Sequence, residues 1–309
     1  MNKKYYGIIP PIISPIDENE NIAVCGYRDL LDYCVEGGLH GIFVAGTNGE
    51  TMALTQKERN KIIRVTIDHI AGKIPVIAGA MDTSTRRVIE NIKEIEYSGG
   101  TCAAVTPIFY DRHTSQDETV RHFERILSET SIDLVIYNIP AFTGLKLNAD
   151  TVIKIAKLDK RVAAYKDSSG SYAEFMQVLN EFENTNFSVM QGVTGQALSA
   201  VVMGADGFVP ALAPAFPEMF VSAYNAAKEK NVDLTKKYNS LIMESSKILK
   251  MSKNATAAAK YAISLRGFTD KRVVFPQDTL SQEEEAVIKN KFYEIEKAYI
   301  DIKNSDQEK

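Results

Sequence analysis

Val162-Ala163-Ala164-Tyr165-Lys166-Asp167-Ser168-Ser169-Gly170 is a short apolar run that ends in a lysine and breaks at once into polar residues and a glycine. Such a run reads as a buried strand feeding a loop. Seven similar runs occupy residues 7–14, 41–45, 75–80, 103–107, 134–140, 187–191 and 207–212. Several are rich in Val, Ile and Ala without polar alternation, the pattern of strands covered on both faces. Amphipathic segments separate them. Ile63, Ile67 and Ile70 follow the capping sequence Thr55-Gln56-Lys57-Glu58, and Ser115-Gln116-Asp117-Glu118 opens a helix through His122 and Ile126. Eight strands interleaved with helices in about 220 residues predict an α/β fold, a (β/α)8 TIM barrel. A doubly wound open sheet is the competing topology, but no Gly-x-Gly-x-x-Gly follows any run.

Past Pro217 the patterns are mainly helical, over residues 218–229, 233–250, 254–265 and 281–303. The expected division is a catalytic barrel over residues 1–230 and a C-terminal helical region over 231–309.

A chain of 309 residues with 45% hydrophobic and 25% charged content buries a sizeable core. A net charge of -4 gives no electrostatic case for nucleic acid. No apolar stretch is long enough to span a bilayer, so no membrane association is expected. The basic start Met1-Asn2-Lys3-Lys4-Tyr5-Tyr6 leads only into a short apolar stretch interrupted by Pro10 and Pro11, so no signal peptide is expected. Cys25, Cys34 and Cys102 are odd in number and lack Cys-x-x-Cys spacing, which predicts free thiols in a reducing cytoplasm. His40, His69, His113 and His122 are scattered, and a metal-free site is expected.

Active sites of such barrels sit at the C-terminal ends of the strands. Three motifs fall there. Burial of Lys166 would disfavour its ammonium and lower its pKa from about 10.4. The neutral amine is then a nucleophile toward a ketone or aldehyde. Taken alone, a solvated strand-end lysine is the more ordinary reading among 36 Lys and Arg. The second motif is Gly46-Thr47-Asn48-Gly49-Glu50, whose glycines let backbone N–H groups converge on an anion. No Gly-Lys-Ser/Thr follows, so a single carboxylate is the better-sized guest. The third, Tyr137-Asn138-Ile139-Pro140-Ala141-Phe142-Thr143-Gly144, puts a phenol at a strand end, where it can exchange protons with a substrate.

In this order and spacing the three motifs resemble the pyruvate-dependent class I aldolases and lyases typified by dihydrodipicolinate synthase and N-acetylneuraminate lyase. The resemblance spans the barrel nearly end to end. It implies a pyruvate Schiff base on Lys166 and no further cofactor. It also implies Tyr137 as the proton-transfer residue, Thr47 as its hydroxyl relay, and Gly46, Thr47 and Asn48 around the pyruvate carboxylate. Tyr110 corresponds to a tyrosine that reaches a neighbouring subunit's site, in a homotetramer built from tight dimers. Val209 falls where a backbone carbonyl lines the pocket.

Departures from the family pattern bear on the second substrate. The synthase pattern places an arginine at the position of Phe142, and an aromatic ring cannot replace a guanidinium's paired donors to a carboxylate. The sialic-acid lyase pattern carries an acidic pair where this chain has Gly192-Val193-Thr194-Gly195-Gln196. Asn48 replaces a threonine. The expected activity is therefore cleavage or formation of a 2-keto-3-deoxy sugar acid, pyruvate plus a hydroxyaldehyde, with Phe142, Thr194 and Gln196 beside the aldehyde half. The alternatives are dihydrodipicolinate synthase, with Arg112 as a relocated carboxylate receptor, N-acetylneuraminate lyase, and a keto-acid sensor without turnover.

Overall fold

The computed structural model describes residues 3–307. Its strands are β1 (Gly7–Ile8), β2 (Ile42–Val44), β3 (Val76–Gly79), β4 (Cys102–Val105), β5 (Asp133–Asn138), β6 (Val162–Asp167), β7 (Ser188–Gln191) and β8 (Gly207–Phe208). All pairings are parallel, in the order β1-β8-β7-β6-β5-β4-β3-β2. Closure comes just past β1. Phe43 N–H donates to the Pro10 carbonyl at 2.9 Å, and Ile12 N–H donates to the Phe43 carbonyl at 2.9 Å. The sheet is thereby a TIM barrel, and each of the eight apolar runs supplies one strand. The first and last are shorter than their runs. Pro10, Pro11 and Pro210 carry no N–H, so the ladder stops beside them.

Helices alternate with these strands: α1 (Val24–Glu36), α2 (Gln56–Ile70), α3 (Thr85–Tyr97), α4 (Gln116–Glu129), α5 (Pro140–Thr143), α6 (Ala149–Ala156), α7 (Tyr172–Glu181), α8 (Ala197–Val202) and α9 (Pro217–Lys228). Then come α10 (Val232–Ser246), α11 (Ala255–Ser264) and α12 (Gln282–Gln307). Among the described residues no helix is long and apolar enough to cross a membrane. The Ser115–Glu118 capping box at α4 is closed in both directions. At α2 only half of it forms. Thr55 accepts from Glu58 N–H, but the Glu58 carboxylate accepts from Ile22 N–H at 2.7 Å, tying the loop after β1 to α2.

Side chains of consecutive strand residues alternate between two cores. Ile9, Phe43, Ile77, Ala104, Val135, Tyr137, Ala164 and Met190 pack inside the barrel. Leu134, Ile136, Tyr165, Val189 and Phe208 pack outward against the helices.

The helices after α9 are tied to the barrel rim by a buried ion pair. Glu50 stands at the end of the Gly46–Glu50 loop, in a left-handed conformation (φ 52°). Its Oε1 accepts the Val274 N–H at 2.9 Å, and its Oε2 meets Lys260 Nζ of α11. Lys260 also donates to the Arg272 carbonyl at 2.6 Å. Both side chains are sealed from solvent. Burial pushes the Lys260 pKa down, and the Glu50 carboxylate opposes that fall. Removing one member of such a pair strands the other charge, at a cost of about 3–5 kcal/mol. Lys260→Met should lower the urea unfolding free energy by about that amount. Adding Glu50→Gln should recover most of it, and additive losses would show that the two groups do not interact.

Candidate active site

The register of β5 on β6 pairs Tyr137 with Lys166 and Asn138 with Asp167. Because side chains alternate, the first pair faces the barrel interior and the second faces outward. Outside, Asn138 Nδ2 donates to Tyr165 Oη, Asp167 Oδ1 and the Leu147 carbonyl, each at 3.1 Å. Tyr165 Oη donates to Asp167 Oδ1 at 2.9 Å and Ser169 Oγ to Asp167 Oδ2 at 3.0 Å. Burial raises the Asp167 pKa against these donors. This network fixes the two strand ends side by side.

Inside, the Lys166 amine lies 3.9 Å from the Tyr137 ring centroid and 4.6 Å from that of Phe43. The two rings meet edge to face at 5.9 Å. Burial lowers the Lys166 pKa, opposed by the Tyr137 phenol. Lys166 and Val209 line a small void of about 10 Å³ with Ile9, Phe43 and Met190. The Tyr137 ring lines a second cavity of about 380 Å³ that opens at the rim. That volume suits a small substrate. The amine is therefore one aromatic ring away from the larger cavity.

Thr47 and Phe142 also line that cavity, Phe142 at its mouth, where it is 66% exposed. Thr47 begins a short 3-10 turn capped by Gly46, and the Asn48 Nδ2 beside it is buried without a partner among the described residues. Gly46, Asn48 and Val209 flank the site without lining the larger cavity. Tyr110 has φ +70° and is 97% exposed. Thr194 and Gln196 are not among the residues that line this cavity. Gln196 donates to the Gly170 carbonyl and accepts from Gln191, which draws their turn toward the loop after β6. Arg112 packs over Gly144 at the end of α5, outside the cavity.

Sequence reasoning missed much of the wall. Thr51, Met52, Ala53, Met81, Thr106 and Phe109 come from the barrel rim, and Thr256 and Gln277 from the C-terminal region. Glu50 also lines the cavity, and its partner Lys260 carried a legible signal: it is the one charge in the run Ala255-Thr256-Ala257-Ala258-Ala259-Lys260.

This arrangement can be set beside known proteins. The sequence pattern of the Dihydrodipicolinate synthetase family matches residues 4–294. The chain belongs to that family. A 4-hydroxy-tetrahydrodipicolinate synthase of Chlorobium phaeobacteroides is 30% identical over 294 residues, covering 94% of this chain and 97% of that protein. An uncharacterized DapA-like lyase of Halobacterium salinarum is 29% identical over 264 residues, 85% of each chain. The solved dihydrodipicolinate synthase of Bacteroides thetaiotaomicron superposes with a TM-score of 0.89 at 29% identity, covering 95% of this chain and 100% of that one.

The lowered Lys166 pKa has a consequence for stability. Below the ordinary lysine pKa the native chain binds fewer protons at this site than the unfolded chain, so stability rises with pH through that window. Lys166→Met removes the penalty. Its urea midpoint should exceed the parent's at pH 7, with the gap closing as pH approaches about 10.4. Equal midpoints at pH 7 would mean that the amine is solvated.

Proposed function

We propose that this chain is a pyruvate-dependent class I aldolase that forms a Schiff base through Lys166. The observation that carries the reading is the buried Lys166 amine, with its pKa lowered by burial, held against Tyr137 on the inner face of adjacent strand ends. A flexible four-carbon stem lets the amine move past the ring to a carbonyl in the larger cavity.

The neutral amine attacks C2 of the 2-oxo acid, and loss of water leaves an iminium. In the cleavage direction the C3–C4 bonding pair flows into the iminium, giving an enamine and releasing an aldehyde. The Tyr137 oxygen accepts the C4 hydroxyl proton while its own passes to the Thr47 oxygen and the Thr47 proton leaves to water in the cavity. The same relay returns a proton to C3, and water then hydrolyses the pyruvate iminium and restores the lysine. Thr47, Asn48 and the backbone from Gly46 hold the carboxylate, and the Val209 carbonyl lines the pyruvate end. The iminium is the electron sink, so the assigned steps use the chain's own residues.

For the second substrate we favour an uncharged hydroxyaldehyde, making the whole substrate a 2-keto-3-deoxy sugar acid. Among the described residues, apart from Tyr137, the only ionisable cavity-lining side chain is Glu50, whose carboxylate is taken by Lys260. Condensation with aspartate semialdehyde is the second reading. It is favoured by the names of the relatives and by Arg112, which lies over Gly144 two residues from Phe142. Tyr110, Phe142 and Met52 leave apolar surface exposed near the mouth, which supports a second copy covering it in a homotetramer.

Pyruvate with borohydride should add irreversibly to the protein, with the adduct mapping by mass spectrometry to Lys166. Absence of an adduct would also favour the keto-acid sensor. Tyr137→Phe should retain the adduct while kcat falls by about 10²–10⁴, and parallel losses of both would remove the tyrosine from the carbon–carbon step. Phe142→Arg should shift kcat/KM toward aspartate semialdehyde by about tenfold or more. A parent enzyme that already prefers the semialdehyde would establish the second reading.

A further inference from the structure

Two buried hydroxyls in the cavity wall lack a protein partner. Thr51 is 4% exposed and Thr106 is 3% exposed, and both line the cavity. Among the described residues neither Oγ1 has a hydrogen-bond partner. An unpaired buried hydroxyl destabilises a fold, and valine has nearly the same shape without that cost. Each Oγ1 is sealed in this conformation, and a turn about χ1 would present it to a ligand in the cavity that supplies the missing partner.

A second pair of neutral polar side chains reaches the same cavity from the C-terminal region. Thr256 lies in the first turn of α11 and Gln277 in the segment before α12. Asn254 sets both. Its Oδ1 accepts the N–H groups of Thr256 and Ala257 at 3.1 and 3.2 Å. Its Nδ2 donates to Gln277 Oε1 at 3.1 Å and to the Asp278 carbonyl at 3.0 Å. With its carbonyl engaged, the Gln277 –NH2 is the end left to donate. Much of the remaining wall is carbon, from Met52, Ala53, Met81, Phe109, Ile139 and Phe142.

We infer that Thr51, Thr106, Thr256 and Gln277 are specificity-determining residues that read hydroxyl groups on an uncharged aldehyde tail. The inference rests on the Schiff-base reading above. The apolar remainder of the wall excludes water around the tail, and the four polar groups select hydroxyls over a bare alkyl chain.

The test compares kcat/KM for cleavage of 2-keto-3-deoxygluconate with that for 4-hydroxy-2-oxopentanoate, whose acetaldehyde half has no hydroxyl to read. Thr51→Val, Thr106→Val and Gln277→Leu should each lower the ratio of the two by roughly fivefold to tenfold. The two valine variants should also match or exceed the parent's urea midpoint, because they remove an unpaired hydroxyl. A purely structural role predicts the reverse, a lower midpoint with an unchanged ratio, and that result would overturn the inference. So would an unchanged ratio alone, or a pyruvate adduct without cleavage of either acid. No borohydride adduct on the parent would instead remove the Schiff-base reading itself, and this inference with it.

Discussion

The period of two in a closed parallel sheet is the constraint on which the site depends. In β5 and β6 one register places Tyr137 beside Lys166 inside the barrel and Asn138 beside Asp167 outside. A one-residue slip would exchange the faces. It would expose the amine to the helix layer and bring a carboxylate into the apolar interior. The outer pair opposes that slip, because Asn138, Tyr165, Asp167 and Ser169 satisfy one another only in the observed register. The chemistry faces one way and its lock faces the other. The side chain next to the lysine in sequence thus works on the opposite side of the sheet.

Burial then gives Lys166 its character. Its neighbours inside are aromatic faces, which favour an ammonium weakly, and no carboxylate lies among the residues lining its void. Desolvation therefore outweighs attraction, and the pKa falls. Lys260 is equally buried but meets Glu50 directly, and its charge serves to hold two regions together. The two lysines differ in what they touch more than in how deeply they lie.

The sequence made the barrel legible because each strand is a short apolar run and each long helix carries a 3.6-residue stripe. Lys166 and Tyr137 were legible as strand-end residues for the same reason. The cavity wall was harder to read. Thr51 and Thr106 look like ordinary loop threonines until tertiary packing removes their partners. Thr256 and Gln277 lie far along the chain, and contacts such as the Glu50–Lys260 pair, the Val274–Glu50 hydrogen bond and those of Asn254 bring their segments to the rim. Thr194 follows β7 at a strand end, and its turn is joined through Gln196 to Gln191 and to the loop after β6.

The chain shares its barrel with a family whose named relatives include synthases, and the second substrate proposed above follows from the charge of its cavity wall. A carboxylate entering a mostly carbon-lined pocket loses hydration, and without a partner that loss is several kcal/mol. The Glu50 carboxylate already on the wall would add repulsion to an incoming anion wherever its pairing with Lys260 left charge uncompensated. Arg112 is the nearest remedy that its contacts suggest, but its guanidinium lies over Gly144 and outside the cavity. A neutral aldehyde carries no such cost. Its hydroxyls would find Thr51 and Thr106 unpaired, and its carbon skeleton would meet Met52, Met81 and Phe109. The proposed choice between the two aldehydes therefore turns on a single charge: a semialdehyde carboxylate would need a cation, and a hydroxyaldehyde would need only neutral partners.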